Sequence, residues 1–180
     1  TNITVIGCNN LTQECIEIVK HKPDLKEKLF FFISGIIISI PFTFFFVGYS
    51  GSLCVFFTEL DPSFCSIVIF TPFVEEFAKA YPLFYRHGET EKSIIFLGLL
   101  VGLGFGFGEF FYYFFSQGAF LNRIAPVVIH PALTVLVCYG IAKGKPIRFY
   151  FLGASLHLVF NFFVWYGTRW NLVQRLVGIS

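Results

Sequence analysis

A chain of 180 residues that is 56% hydrophobic, 21% aromatic and only 13% charged carries roughly half the charge of a soluble domain. Twenty-seven phenylalanines are too many to hide in one aqueous core, so an all-α fold with lipid as solvent is expected. The net charge of +2, with no basic stripe, gives nucleic acid no footprint, and the five cysteines (Cys8, Cys15, Cys54, Cys65, Cys138) lack the spacing of a zinc ribbon.

In chain order, residues 1–28 read as a polar cytoplasmic segment with no signal-peptide pattern. It is expected to hold one amphipathic helix before the break at Pro23, with Ile16 and Val19 facing the membrane. Asn2-Ile3-Thr4 and Asn10-Leu11-Thr12 match the glycosylation sequon, a pattern short enough to arise by chance. A transmembrane domain over 29–167 follows, then a tail over 168–180. About 20 apolar residues cross a bilayer, and five stretches reach that length: Leu29–Tyr49 with a kink at Pro41, Ser63–Tyr85, Ser93–Phe115, Ile124–Ala142 and Ile147–Tyr166. The fold expected is therefore a polytopic bundle of about five helices. Cys54 and Cys65 flank the first short loop and can pair if that loop faces an oxidising compartment; the other thiols read as buried and inert.

Loop charges orient the bundle. Lys20, Lys22, Lys26, Lys28, Arg86, Lys92, Lys143, Lys145 and Arg148 fall on one side, against Arg123, Arg169 and Arg175 on the other. The positive-inside rule then puts the N-terminus in the cytoplasm and the C-terminus outside. In the third span Gly98, Gly102 and Gly106 recur every fourth residue, and Gly104 with Gly108 repeats the interval. Such spacing lets a neighbouring backbone approach closely, which holds the adjacent Glu109 against protein rather than lipid.

Four of the five spans carry polar groups that cost about 2.5 kcal/mol or more at mid-bilayer and are functional candidates by default. Glu75 and Lys79 are four residues apart on one helix face, as are His157 and Asn161. An internal ion pair between Glu75 and Lys79 would neutralise the second span and assigns Lys79 a structural role. It leaves Glu76, Glu109, His130 and His157 unexplained. Buried carboxylates can take a proton from water, histidines can ligate a metal, and an Asn amide can stabilise an oxyanion. Pro131 removes the N–H that would bond the Val127 carbonyl, a break tolerated at membrane depth inside protein or beside a wet cavity. By rise per residue, Glu75, Glu76 and His157 fall near mid-membrane, and Glu109, His130 and Asn161 toward the outer leaflet, so tilt or a kink is needed for them to meet.

Glu75-Glu76-Phe77-Ala78-Lys79 reads E-E-x-x-K, Phe105 to Glu109 reads F-x-x-x-E, His130 stands alone in the next span, and His157 to Asn161 reads H-x-x-x-N. This ordered set, over roughly residues 65–165, resembles the PrsW-type intramembrane proteases, relatives of the CAAX-processing and bacteriocin-processing (Abi) membrane proteases. Lys79 and Glu109 stand where the CAAX branch more often has Arg and His. The resemblance implies site-1-type endoproteolysis of a membrane-associated protein or peptide in a prokaryotic plasma membrane. Carried over by motif, the catalytic set is Glu75, Glu76, Glu109, His130, His157 and Asn161. Either Glu75 or Glu76 is the water-activating base, and Asn161 is an oxyanion donor. The metal-ligand candidates are Glu76, Glu109, His130 and His157. Those ligand types suit zinc, and a glutamate-driven mechanism without metal would use the same residues. Two other classes fit intramembrane charge: an ion-coupled transporter, against which stands the lack of an internal repeat, and a catalytically silent binding protein.

Overall fold

The polar N-terminal segment forms strands, not the expected helix. In the computed structural model, which describes residues 3–8, 15–57, 59–84, 90–117 and 124–177, β1 (Ile3–Cys8) pairs antiparallel with β2 (Cys15–Lys20). The register runs from Ile3 opposite Lys20 to Cys8 opposite Cys15. The reason is compositional: Ile3, Thr4, Val5, Ile6, Ile16, Ile18 and Val19 are β-branched, stiff at χ1 and better suited to a pleated strand than to a helix. Asn2, Asn10, Arg86 and Arg123 lie outside the described residues.

Helix α1 (Leu25–Phe57) begins at a reciprocal cap. The Asp24 carboxylate accepts the Glu27 N–H at 2.8 Å, and the Glu27 carboxylate accepts the Asp24 N–H at 2.9 Å. Near its far end Cys54 is joined by a disulfide to Cys65. Cys65 belongs to a π-helical segment, Phe64–Phe70, that runs directly into α2 (Thr71–Phe84). Ser50 and Ser66 add a hydroxyl pair at 2.8 Å beside the disulfide. Asp61 starts the π segment by accepting the N–H groups of Ser63 and Phe64 at 2.9 and 3.0 Å.

The remaining helices are α3 (Glu91–Gln117), α4 (Ile124–Ala142) and α5 (Pro146–Val177). The α4–α5 turn is a Schellman motif: Lys145 N–H donates to the Gly140 carbonyl at 2.8 Å and Gly144 N–H to that of Ile141 at 3.1 Å. Gly144 takes φ +68°, which glycine adopts without strain, and Pro146 opens α5 where its missing N–H costs nothing. At the same end, Phe31 of α1, Leu83 of α2, Ile94, Leu97 and Val101 of α3 and Cys138 of α4 form one buried apolar cluster. The Lys143 ammonium lies 2.6 Å from Glu91 there, and the ion pair holds its pKa above the ordinary lysine value.

At the opposite end Arg169 Nη2 donates to Asp61 Oδ2 at 2.7 Å and Trp165 Nε1 to Ser63 Oγ at 3.3 Å, so α5 clasps the turn into the π segment. Hydrogen bonds from Ser63 and Phe64, with Arg169 adding its charge, hold the Asp61 carboxyl below its ordinary value. The folded pKa is the lower one, so this contribution is complete above the ordinary carboxylate range and is lost as acid brings the pH down through the folded value.

The five expected spans correspond to α1, the π segment with α2, α3, α4 and α5. Among the described residues, three stretches are long and apolar enough to cross a membrane: Glu91–Ser116, Ile124–Ala142 and Pro146–Arg169. Large apolar side chains such as Phe30, Phe56, Phe115 and Phe163 are exposed on the outside of the bundle, a surface suited to lipid. Short α2 packs against all four other helices, and among the described residues it is the only one whose buried face carries three charges.

Close approach of α3 to α4 depends on glycine. A Cβ built on Gly102 would stand 2.5 Å from Pro131 Cα, and one on Gly106 would stand 2.9 Å from Val127 Cα. The Pro131 break is thus buried in protein, against the Gly102 backbone. Gly104 turns to the other side, against the Phe32 carbonyl of α1. Gly102→Ala should therefore destabilise the bundle by about 1–3 kcal/mol in detergent unfolding. Gly48→Ala, whose new methyl meets nothing within 4 Å, should be neutral or slightly stabilising. Equal effects from the two changes would remove the packing argument.

Candidate active site

Two features of the backbone bring His130, His157 and Glu109 together. His130 lies fourteen residues before Gly144 and His157 thirteen after it, so a tight antiparallel turn sets them at matching height. Their ring centroids are 5.2 Å apart, edge to face. The rings are thus in contact despite the difference in depth that rise per residue suggests. The glycine contact between α3 and α4 then brings Glu109, three residues beyond Gly106, against His130: Oε2 lies 2.6 Å from Nε2.

Helix α2 supplies the centre. Lys79 and Glu76 are fully buried, and Lys79 Nζ lies 2.5 Å from Glu76 Oε1 and 2.9 Å from His130 Nδ1. The ion pair expected between Glu75 and Lys79 is formed instead by Glu76, one turn back on the same buried face. Glu76 Oε1 also lies 2.9 Å from His157 Nδ1, and Glu75 Oε2 lies 3.8 Å from His157 Nε2. One polar chain thus runs Glu109–His130–Lys79–Glu76–His157–Glu75 through four helices. The flexible lysine stem spans the gap that the helix positions alone would leave.

Donor logic fixes the rings. An ammonium only donates, so His130 Nδ1 carries a lone pair and its ring hydrogen sits on Nε2, donated to Glu109. A carboxylate only accepts, so His157 donates from Nδ1 to Glu76 and keeps its lone pair on Nε2, toward Glu75. The remaining oxygen, Glu76 Oε2, is buried with no hydrogen-bond partner.

Asn161 is turned elsewhere. Its Nδ2 donates to the Ile67 carbonyl in the π segment at 2.9 Å. That carbonyl lacks both helical donors, since the Thr71 N–H is taken by the Ser66 carbonyl and residue 72 is proline. Serving this site, Asn161 joins α5 to the segment that leads into Glu75 and Glu76. Tyr150 makes a second such tie, its hydroxyl donating to the Phe73 carbonyl at 3.0 Å.

Two participants were not singled out from sequence, and a third, Phe105, was read only as the first residue of F-x-x-x-E. Phe105 lies under the Lys79 ammonium, 4.9 Å from Nζ to ring centroid, and 4.7 Å from the His130 ring. Thr134 Oγ1 donates to the His130 carbonyl at 2.8 Å. The π segment itself, a feature frequent at functional sites, had one readable signal, Pro72 within an apolar run. Thr134 had none, being an ordinary residue of an apolar helix, and the motif that includes Phe105 gave no hint of its contact with Lys79.

The donor set fits a metal. Glu75, His130 and His157 each offer a ligand atom, all within 4.8 Å of one another and all buried. Two imidazoles and a carboxylate with an open fourth position is a catalytic zinc pattern. Three carboxylates share the cluster with one ammonium, so a divalent cation would offset the excess negative charge. Glu76 on His157 and Glu109 on His130 stand behind the rings, as carboxylates do that orient metal-bound histidines.

Comparison with curated proteins and with solved structures finds no match. Comparison with family descriptions matches the PrsW family of intramembrane metalloproteases over residues 25–179, a stretch that includes every residue of the polar chain. An integral membrane bundle with a buried Glu–His–His cluster, matched over that length, belongs to the PrsW family of intramembrane metalloproteases.

Proposed function

We propose that this protease cleaves a peptide bond of a membrane protein or peptide at a site built from Glu75, His130 and His157 as metal ligands and Glu76 as the base. The observation that carries this reading is the convergence of three buried ligand atoms within 4.8 Å, beside a buried Glu76 oxygen that has no partner. Zinc suits these donors, and when bound it would supply Lewis-acid polarisation of water and of the scissile carbonyl.

The chain's own residues do the rest. His157 keeps its Nε2 lone pair directed at the ligand cluster because Glu76 holds its Nδ1 hydrogen. Glu109 sets the His130 ring in the same way from α3. Glu76 Oε2 accepts the proton of the attacking water and returns it to the leaving amine, while Oε1 stays anchored on Lys79 and His157. Glu76 and Glu109 act from behind the ligands in this reading. One Asn161 N–H is committed to Ile67, and the oxyanion role rests on the other.

The reading extends to setting. The E-E-x-x-K and H-x-x-x-N pair supports kinship with the CAAX and Abi proteases. The motif set as a whole supports a prokaryotic plasma membrane and a site-1-type cut. The Cys54–Cys65 disulfide lies at the end of the bundle away from Lys143 and Lys145, which supports an outside location for that end and a cytoplasmic N-terminus.

Three measurements test this. Glu75→Gln should lose bound metal by elemental analysis, whereas Glu76→Gln should keep it and lose about a hundred- to ten-thousand-fold in turnover of a cleaved peptide. The opposite assignment of losses would exchange the roles of the two glutamates. Asn161→Ala should lower stability by about 1–3 kcal/mol by orphaning the Ile67 carbonyl, and kcat by about a hundredfold through the lost oxyanion donor. A stability loss with unchanged kcat would leave Asn161 a packing role alone. In intact cells, Thr168→Cys should react with a membrane-impermeant maleimide and Lys145→Cys should not; reversed labelling would invert the orientation.

A further inference from the structure

Neutral His130 has a single lone pair to offer, and a side chain of this same protein already holds it. With the ring hydrogen on Nε2 and donated to Glu109 at 2.6 Å, the lone pair is on Nδ1, where the Lys79 ammonium sits at 2.9 Å. His157 differs: its Nε2 faces Glu75 across 3.8 Å with no ammonium upon it. Of the two ligand histidines, His157 therefore has no cation on its lone pair, and His130 is engaged by an ammonium carried on α2.

We propose that Lys79 is an internal competitor for the metal, releasing His130 only when a divalent cation displaces its ammonium from Nδ1. The proposal rests on the reading of Glu75, His130 and His157 as the ligand set. Displacement does not strand the lysine. Glu76 Oε1 at 2.5 Å and the face of Phe105, 4.9 Å from Nζ, retain it after it leaves the imidazole. A lysine suits this use because its ammonium is a compact charge with three rotatable donors on a flexible stem, whereas a guanidinium would be held by its planar fork. The consequence is that the site binds its ion more weakly than its donors permit, so that loading follows the supply of the cation.

The test is a double-mutant cycle read by affinity rather than activity. The full chain in detergent is titrated with Zn2+ against a chelating dye, as wild type, Lys79→Met, His130→Ala and the double variant. Removing the competitor should tighten binding about tenfold in the wild-type background, and by less than about twofold where His130 is already gone. An equal gain in both backgrounds would mean that Lys79 acts through charge alone, and would overturn the competition. Binding that is lost with His130→Ala but unchanged by Lys79→Met would overturn it too, while leaving the ligand set standing. Failure of every variant, wild type included, to bind Zn2+ or another divalent ion would overturn both. If Lys79→Met does not fold, 13C-lysine-labelled wild type serves instead, with the Lys79 resonance assigned through Lys79→Arg. Its side-chain signal must move as Zn2+ saturates the protein, and a signal that stays fixed would defeat the proposal.

Discussion

A fully buried ammonium governs this bundle. Taking Lys79 out of water costs several kcal/mol, recovered only where partners stand in good geometry. Its partners come from two helices: Glu76 on its own α2 and His130 on α4. Each partner brings another, since Glu76 is held by His157 of α5 and His130 by Glu109 of α3. In hydrocarbon these groups have no water to fall back on. Any arrangement that separates one of the four helices leaves a charge or an imidazole unsatisfied, so the same polar chain that can do chemistry also specifies how α2, α3, α4 and α5 meet.

The apolar parts of the fold supply what that chain cannot, which is precise height. Lipid gives helices no hydrophobic reason to associate, so their approach depends on close packing. Gly102 and Gly106 let the α4 backbone come against α3 at Pro131 and Val127, and this contact brings Glu109 to hydrogen-bonding distance of His130. The Schellman turn at Gly144 levels His130 with His157. At the far end of α2, the disulfide, the Asp61–Arg169 pair and the Asn161 bond to Ile67 fix where the π segment begins and therefore how Glu75 and Glu76 are presented. Small residues and caps set the positions, and the polar side chains exploit them.

What could be read from the sequence follows the same division. Helical class, the helix stretches and the polar residues worth attention were legible, because twenty-residue apolar runs and charges within them are strong local signals. Partner choice was not. The spacing of Glu75 and Lys79 suggested an i, i+4 pair, but Glu76 has the ammonium, because the tertiary position of His130 decides which carboxylate Nζ can reach while also touching the ring. The motif resemblance offered Glu76, Glu109, His130 and His157 as ligand candidates, and the buried group with ligand atoms within 4.8 Å of one another is Glu75, His130 and His157. The N-terminal strands were missed for another reason. A polar segment with Ile16 and Val19 placed on one side suggested an amphipathic helix, while the β-branched residues of Ile3–Ile6 and of 16–19 carried the opposite preference.

Asn161 shows how a motif residue can serve architecture. H-x-x-x-N places His157 and Asn161 on one face of α5, one turn apart, and both face the rod made by the π segment and α2. The π register exists where Thr71 N–H reaches back to the Ser66 carbonyl, and Pro72 then has no N–H to give to Ile67. An apolar residue at 161 would leave that carbonyl unsatisfied in a medium without water, whereas an asparagine closes it and retains a second N–H. The wide turn at residues 64–70 and the amide at 161 therefore require each other. Because His157 is one helical turn from that amide, holding the π segment also holds the imidazole against Glu76, which couples the irregular backbone to the site through a single face of α5.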